Sequence, residues 1–572
     1  MKENAKAANR REKAENKKKK ERGNNFFSER QIPPRVGCIV LAVVAVVIFV
    51  TSYFRIASVW QGTDKNEFIL LAVICGTCSI ASMVLLETYL YFEKRHILTS
   101  PKRLAAVSSL IVLAVVLSAF TTIISFAFTA AFVAIILCGL LVSKRAAYTM
   151  TVTMAGVMML MTVSGYGSGV LDKPVAAALA IFFGGIVSVI ALNGQSNRLQ
   201  PVISGAIGGA AAALVLSAVQ AFSGVDFKTI AIDSGWMFAG CLLSGIIATG
   251  LLPLFERVFD ISTEARLNEL MNNNNPLLKR LMLEAPGTYH HSLIVAVMAE
   301  SAAEQVGANA LLCKTAAYYH DIGKLVSPRY FKENQGEYNV HDELPPEVSA
   351  AHILAHPKDS AQMLSKKNFP SDIIRMAANH HGDSIVYYFY TKAREQAAVP
   401  DSVNINDYRY ESQKPQTKED AILMLADCCE AAVRALKRPT QEMIEERVKN
   451  VINGLWLPAD GQLSESPITA KDIRTIEASF IKNLLAQYHE RIEYPANPDQ
   501  VPPQIQSTTH DAELPTDDET NEPGPYTDPD NEPQQDDIAE KIAEQRAASE
   551  YAGSDEDFGD ENGDQTGDQG ND

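Results

Sequence analysis

Long apolar stretches fill the first half of the chain, with short polar segments between them. A helix that crosses about 30 Å of hydrocarbon needs roughly 20 apolar residues. The run over residues 104–142 is too long for one helix, so we expect a break near Ser125. The pattern predicts eight membrane-spanning helices, one followed by seven, over residues 36–54, 68–92, 104–125, 125–142, 146–163, 175–192, 201–222 and 235–255.

The pattern changes after residue 255, where apolar residues recur at helical spacing between charged ones. Residues 261–283 are amphipathic, and Pro276, after an asparagine run, is suited to end one helix and begin the next. Signal transmission and a plain spacer both fit this segment. Residues 287–494 have helical periodicity and no convincing alternating strands. The sequence therefore predicts an all-α protein, with a polytopic membrane domain before an all-helical cytosolic domain.

Composition divides the chain into six segments. They are a basic N-terminal tail (1–35), a first transmembrane anchor (36–54), a seven-transmembrane domain (68–255), linker helices (256–286), a helical cytosolic domain (287–494) and an acidic tail (495–572). The acidic tail has 23 acidic and 2 basic residues and few apolar ones, so we expect it to be disordered. A cleaved signal peptide is the alternative for the first span, but its apolar region is too long and no clean cleavage site follows.

The net charge of −17 hides a strong asymmetry, because the N-terminal tail alone carries 12 basic and 5 acidic residues. Basic residues also favour the loops on the same side of the membrane as that tail. We therefore expect a multi-pass membrane protein with both termini in the cytoplasm. The lysine run 17–20 fits contact with anionic membrane lipid better than with nucleic acid, so neither a DNA nor an RNA partner is expected. Few ionisable residues lie deep in the spans, which leaves a transporter without support.

Histidines are concentrated in one part of the cytosolic domain. Of 11 histidines, 8 lie between His290 and His381. Imidazole nitrogens and carboxylate oxygens are ligands that divalent metal ions accept, and an aspartate can bridge two ions. The pattern supplies about seven ligands, enough for two ions with positions left for water and substrate. Its order along the chain is His290-His291, His320-Asp321, His352, His356, His380-His381 and Asp427.

The same residues carry a resemblance to a known family. The order H…HD…H…HH…D is the metal signature of the HD superfamily. The phrases APGTYHHSL, YYHDIGKL, ENQ, HHG and KPQTKEDAILMLADCCEAAVRAL resemble the PgpH-type family of seven-transmembrane HD phosphodiesterases. That family is bacterial and hydrolyses cyclic di-AMP. The resemblance therefore implies a phosphodiesterase of a bacterial cell membrane that forms pApA and lowers the level of this second messenger.

The resemblance also implies roles for individual residues. One ion would be held by His291, His320, Asp321 and Asp427, and the other by Asp321, His356, His380 and His381. The two divalent ions would be manganese or iron. Asp321 and Lys324 would be catalytic, and Lys324 would contact a phosphate of the substrate. Tyr330 is a further candidate for substrate binding, through stacking on adenine.

Other functions stay open at this point. Hydrolysis of cyclic di-GMP or another nucleotide is one, although the GYP motif typical of cyclic di-GMP relatives does not follow His380-His381. A membrane receptor that binds nucleotide without turnover is another, and the complete ligand set argues against it. Only residues 55–67 separate the first two spans, where members of the family commonly carry a large extracellular domain. The sequence leaves a homodimer open.

Overall fold

The computed structural model describes residues 32–59, 65–93, 95–163, 172–192, 198–458 and 461–488. These residues belong to one compact unit, Met1–Arg491. The described chain is helical throughout, with an isolated bridge between Ile385 and Arg409 and no strand in these ranges. The all-α fold is therefore confirmed. Most of the basic tail and the whole acidic tail lie outside the described residues.

The membrane half consists of apolar helices at each predicted stretch. Among the residues that the structure describes with their side chains, four helices are long and apolar enough to cross a membrane: Pro101–Thr121, Lys173–Ala191, Gln200–Phe222 and Phe227–Val258. The helices are α1 Pro34–Val59, α2 Lys65–Glu93, α3 Arg95–Thr99, α4 Pro101–Thr121, α5 Ala131–Leu141, α6 Lys144–Val163, α7 Asp172–Ala191, α8 Gln200–Phe222 and α9 Phe227–Val258.

The predicted break near Ser125 is present, but the span after it is not one continuous helix. Helix α5 has 11 residues, or about 16 Å at 1.5 Å per residue, which is half of the hydrocarbon thickness. The nonhelical segment before α5 is largely buried, and its backbone bonds to nearby hydroxyls. The Ala130 N–H donates to Ser118 Oγ at 3.2 Å, and the Ala127 N–H donates to Ser125 Oγ at 3.3 Å. Irregular backbone is tolerated at membrane depth where protein groups satisfy it in this way.

Small residues allow α7, α8 and α9 to approach closely. A Cβ atom at Gly205 would lie 2.6 Å from the carbonyl oxygen of Cys241, and one at Gly208 would lie 2.6 Å from Ser188 Cβ. Only glycine fits at such crossings without moving a helix, which is how membrane helices pack tightly.

The second half of the chain begins with two short linker helices, α10 Glu264–Leu270 and α11 Pro276–Glu284. Asn275 caps α11, and Pro276 is its first residue, as the sequence predicts. The remaining helices surround an apolar core that is separate from the core of the membrane half. They are α12 Pro286–Val306, α13 Ala310–Tyr319, α14 Pro346–Lys366, α15 Ser371–Asn379, α16 Tyr387–Gln396, α17 Lys418–Arg434, α18 Gln441–Trp456 and α19 Ala470–Gln487.

Ion pairs connect the start of α8 and the end of α9 to α10. Arg198 donates two hydrogen bonds of 2.6 Å to Glu269 and lies 3.2 Å from Glu256, which is buried near the end of α9. Arg266, which lies on α10, donates to the carbonyl of Asn368 at 2.9 Å. Helix α10 therefore contacts both the membrane half and the end of α14, which carries one of the predicted metal ligands.

Candidate metal centre

The predicted ligands come from two helix ends and three helix interiors. His320 follows the last residue of α13, and His380 follows the last residue of α15. His291, His356 and Asp427 lie within α12, α14 and α17. All five side chains are buried. The fold thus gathers residues that are far apart in the sequence into one polar site inside an apolar core.

The two helix ends fix the orientation of their histidines. Carbonyls in the last turn of a helix have no partner within the helix. His320 Nδ1 donates to the carbonyl of Ala317 at 2.8 Å, and His380 Nδ1 donates to the carbonyl of Ala377 at 2.7 Å. A carbonyl only accepts, so Nδ1 carries the hydrogen in each ring. The Nε2 atom of each ring is left free to bind a metal ion.

His356 reaches the same arrangement inside a helix because a proline follows it. Pro357 has no N–H group, so the carbonyl of Ile353 lacks its helical partner. His356 Nδ1 donates to that carbonyl at 2.6 Å. The Nε2 atom of His356 then lies 3.3 Å from Nε2 of His380. Two imidazoles with converging nitrogens are typical of a shared cation.

Asp321 lies between two groups of histidines. Its Oδ1 is 3.3 Å from His356 Nε2 and 3.6 Å from His380 Nε2. Its Oδ2 is 3.2 Å from His320 Nε2 and 3.6 Å from His291 Nε2. Each carboxylate oxygen therefore faces a different pair of imidazoles.

Asp427 completes the groups from the opposite side. Its Oδ1 is 3.0 Å from His291 Nε2 and 3.7 Å from His320 Nε2, and its Oδ2 is 3.6 Å from His381 Nδ1. Ligand atoms lie within 4.8 Å of one another in three sets, which are His291, His320 and Asp427; His320, Asp321 and His380; and His356, His380 and His381. The structure brings all seven predicted ligands together.

The donor set fits metal ions by its unpaired atoms as well as by its chemistry. His320 Nε2 and Asp321 Oδ1 are buried and form no hydrogen bond with the described residues. Leaving such groups unsatisfied costs free energy, which a bound cation would offset. Nitrogen and oxygen ligands without a cysteine suit divalent metal ions.

The carboxylates of Asp321 and Asp427 make the electrostatic potential at His320 strongly negative. Burial alone would lower the pKa of His320, but Asp321 and Asp427 outweigh burial and raise it to about 10. Burial alone would raise the pKa of Asp321, but His320 and Lys324 hold it well below its usual value. Asp321 is therefore ionised at neutral pH and available to a cation.

Lys324 lies beside this carboxylate and is nearly buried. Its Nζ is 2.8 Å from Asp321 Oδ2 and 2.7 Å from Glu333 Oε1, and it lies 4.9 Å from the centre of the Phe331 ring. Burial would raise the pKa of Glu333, but the ammonium of Lys324 lowers it to about 2. Sequence reasoning found Lys324 and missed Glu333, although the ENQ phrase contains it.

The loop that carries Glu333 is fastened to the start of α12. A Cβ atom at Gly287 would lie 1.8 Å from the carbonyl oxygen of Glu333, so only glycine fits there. The Thr288 N–H donates to Asn334 Oδ1 at 3.1 Å, and the Thr288 hydroxyl donates to Glu333 at 3.2 Å. The APGT and ENQ phrases of the sequence are thus in direct contact.

Aromatic side chains form part of the surroundings. The Tyr330 ring stacks on His352 with centroids 3.8 Å apart, so one of its faces is already covered. Tyr410 is buried with its ring 4.5 Å from His381, and no pattern in the sequence identifies it. Burial, together with Asp321 and Asp427, raises the pKa of Tyr410 well above its usual value.

Two protein-family models match the chain. Residues 68–263 match the family described as 7TM receptor with intracellular HD hydrolase, and residues 288–432 match the HD domain. The second match contains all seven predicted ligands.

Curated relatives and solved structures were also found. The cyclic-di-AMP phosphodiesterase PgpH of Listeria monocytogenes is 39% identical over 380 residues, which is 66% of this chain and 51% of the relative. The protein of the same name from Bacillus subtilis is 41% identical over 309 residues, 53% of this chain and 42% of the relative. The chain thus spans about half the length of the curated relatives it matches.

A crystal structure of the HD domain of Listeria monocytogenes phosphodiesterase PgpH is 46% identical and covers 38% of this chain and 100% of that one, with a TM-score of 0.36. A second structure of that domain, in complex with cyclic-di-AMP, gives the same values. The two family models together cover the membrane half and the metal centre in the order that the family has them. Residues 68–263 and 288–432 thus match, in this order, the two parts of the family described as 7TM receptor with intracellular HD hydrolase.

Proposed function

We propose that this protein is a membrane-bound, metal-dependent phosphodiesterase that hydrolyses cyclic di-AMP to pApA. The observation that carries the proposal is the position of Asp321, whose two oxygens face different pairs of imidazoles at 3.2–3.6 Å. A carboxylate placed in this way suits a centre with two ions that share one ligand.

The proposed ligands form two sets with Asp321 in common. One set is His291, His320, Asp321 and Asp427, and the other is Asp321, His356, His380 and His381. Manganese or iron would, when bound, lower the pKa of water and offset the negative charge of the phosphodiester. The hydrogen bonds from Nδ1 of His320, His356 and His380 direct the Nε2 atom of each ring into the site, and a bound ion would take the place of any proton on Nε2.

The proposed reaction consumes one water molecule for each phosphodiester bond. A bond forms between water oxygen and phosphorus, the bond from phosphorus to the 3′ oxygen breaks, and that oxygen leaves with a proton. Lys324 is the cation nearest to Asp321 among the described side chains. We assign it the role of contacting the phosphate, with Glu333 holding its ammonium in place.

The substrate assignment draws on the curated relatives, both of which are named as cyclic-di-AMP phosphodiesterases. The exposed face of Tyr330 would stack on adenine. The proposed topology places the catalytic domain and both termini in the cytoplasm, with the basic N-terminal tail against membrane lipid. We also propose that two copies of the chain can form a homodimer.

The test is hydrolysis by the full chain in detergent micelles, stripped of metal and then supplied with manganese. We expect pApA from cyclic di-AMP with manganese, no product without it, and little turnover of cyclic di-GMP. Asp321→Ala should abolish turnover, because it removes the shared ligand. The matched control is Asp401→Ala, which removes a carboxylate with 91% exposure and should leave the rate unchanged. Hydrolysis by the Asp321 variant at the normal rate would refute the shared-ligand site, and manganese uptake without turnover would indicate a receptor.

A further inference from the structure

Glu430 faces the outer side of one proposed ligand. It lies one helical turn after Asp427 on α17, so both carboxylates point to the same side of that helix. Asp427 Oδ1 is 3.0 Å from His291 Nε2, and Glu430 Oε2 is 2.5 Å from His291 Nδ1. The imidazole of His291 therefore lies between two carboxylates from one helix.

The position of His291 explains why it needs such a partner. His320 and His380 follow helix ends, and His356 uses a carbonyl that Pro357 leaves free. His291 lies inside α12, where the carbonyls of the preceding turn accept hydrogen bonds from the helix itself. A side chain from another helix must therefore hold Nδ1 of His291, and Glu430 does so.

Burial of the Glu430 carboxylate costs free energy, which indicates that this side chain does more than fill space in the core. The side chain has no exposed surface, and its Oε1 forms no hydrogen bond with the described residues. Arg434 lies 3.7 Å away from Oε2 and is itself partly exposed, so it offsets little of that charge. A buried carboxylate in such surroundings is destabilising unless a strong local partner compensates for it.

We propose that Glu430 is a positioning residue of the metal centre. It accepts the hydrogen of His291 Nδ1, which leaves Nε2 unprotonated and directed at the ion that His291, His320, Asp321 and Asp427 would hold. Its charge also makes His291 a stronger ligand than a histidine bonded to a carbonyl. This inference rests on the proposed metal centre, and it predicts that the two ions depend unequally on Glu430.

The test is calorimetric titration of manganese into the metal-free full chain in detergent, for the wild type, Glu430→Gln and Asp420→Asn. Glu430→Gln keeps the size of the side chain and removes its charge. Asp420 lies on the same helix, is equally buried and pairs with Arg375 away from the proposed ligands, so its variant reports general damage to α17. Thermal unfolding of each metal-free variant is measured alongside.

We expect two binding steps in the wild type, and in Glu430→Gln we expect one of them to weaken about 10- to 100-fold while the other is unchanged. Asp420→Asn should lower thermal stability and leave both steps unchanged. Equal affinities in the wild type and Glu430→Gln would overturn the inference while leaving the metal centre in place. The same loss in both variants would also overturn it, because the role of Glu430 would then be structural. A wild type that takes up no manganese would contradict the proposed function itself.

Discussion

At the scale of single residues, the ion pair between Lys324 and Glu333 shows how the site is held ready. The ammonium lies between the carboxylates of Asp321 and Glu333, with both partner oxygens within 2.8 Å. The side chain of Glu333 is itself mostly buried and fastened by Thr288. The ammonium of Lys324 therefore has two carboxylate partners, Glu333 and Asp321.

Removal of Glu333 should be costly for the fold. Glu333→Ala leaves a buried ammonium with one partner fewer, which typically costs about 3 kcal/mol or more. The matched control is Glu284→Ala, which breaks an exposed pair with Arg280 and should cost less than about 1 kcal/mol. Thermal unfolding of the metal-free chain measures both. Similar losses in the two variants would show that the pair of Lys324 and Glu333 behaves as a surface contact.

The residue scale also shows what sequence can and cannot predict. The cluster of histidines stands out because histidine is rare, and the family resemblance selects seven ligands from it, whose side chains the structure places together. Glu333, Tyr410 and Glu430 could not be named, because single glutamates and tyrosines have no distinguishing pattern along the chain. Their roles depend on which helix faces which, and only the folded chain shows that.

At the scale of helices, the membrane half is held by close contacts between backbones. Hydropathy placed the break near Ser125 but could not predict that α5 would have only 11 residues. Hydropathy reflects only which residues are present. A buried nonhelical segment can have the same apolar residues as a helix, so hydropathy does not show where the helix begins. The satisfied hydrogen bonds of Ala127 and Ala130 are what permit that irregular segment.

The crossing of α8 and α9 offers a direct test of helix packing. Gly205→Ala would place a Cβ atom 2.6 Å from the carbonyl oxygen of Cys241, and we expect a loss of about 1–3 kcal/mol. The control is Gly250→Ala on α9, where a Cβ atom meets nothing within 4 Å. Thermal unfolding in detergent should fall for the first variant and not for the second. Equal stability of the two would mean that the helices separate easily at Gly205.

The linker helix α10 offers a second test at this scale. Arg198→Ala removes the bonds to Glu256 and Glu269, so we expect faster hydrogen exchange of the α10 amides. The control is Arg257→Ala, whose side chain is exposed on the last turn of α9. Unchanged exchange in the Arg198 variant would show that α10 does not depend on the membrane half.

At the scale of the whole molecule, a few side-chain contacts connect the membrane helices to the helices around the candidate metal centre. Arg266 of α10 bonds to Asn368 just after α14, and the Ser371 N–H at the start of α15 donates to Asp260 at 3.1 Å. Helix α14 carries His356, and His380 directly follows α15. These contacts run from the membrane helices to the helices next to both histidines. The sequence predicted the order of the parts, whereas these contacts emerge only when distant segments fold together.

The central claim is that two ions share Asp321. Its most direct test is an anomalous-scattering map of crystals of the full chain loaded with manganese. We predict two peaks in contact with Asp321, one beside His291, His320 and Asp427, and the other beside His356, His380 and His381. A single peak, or manganese bound away from Asp321, would contradict the account.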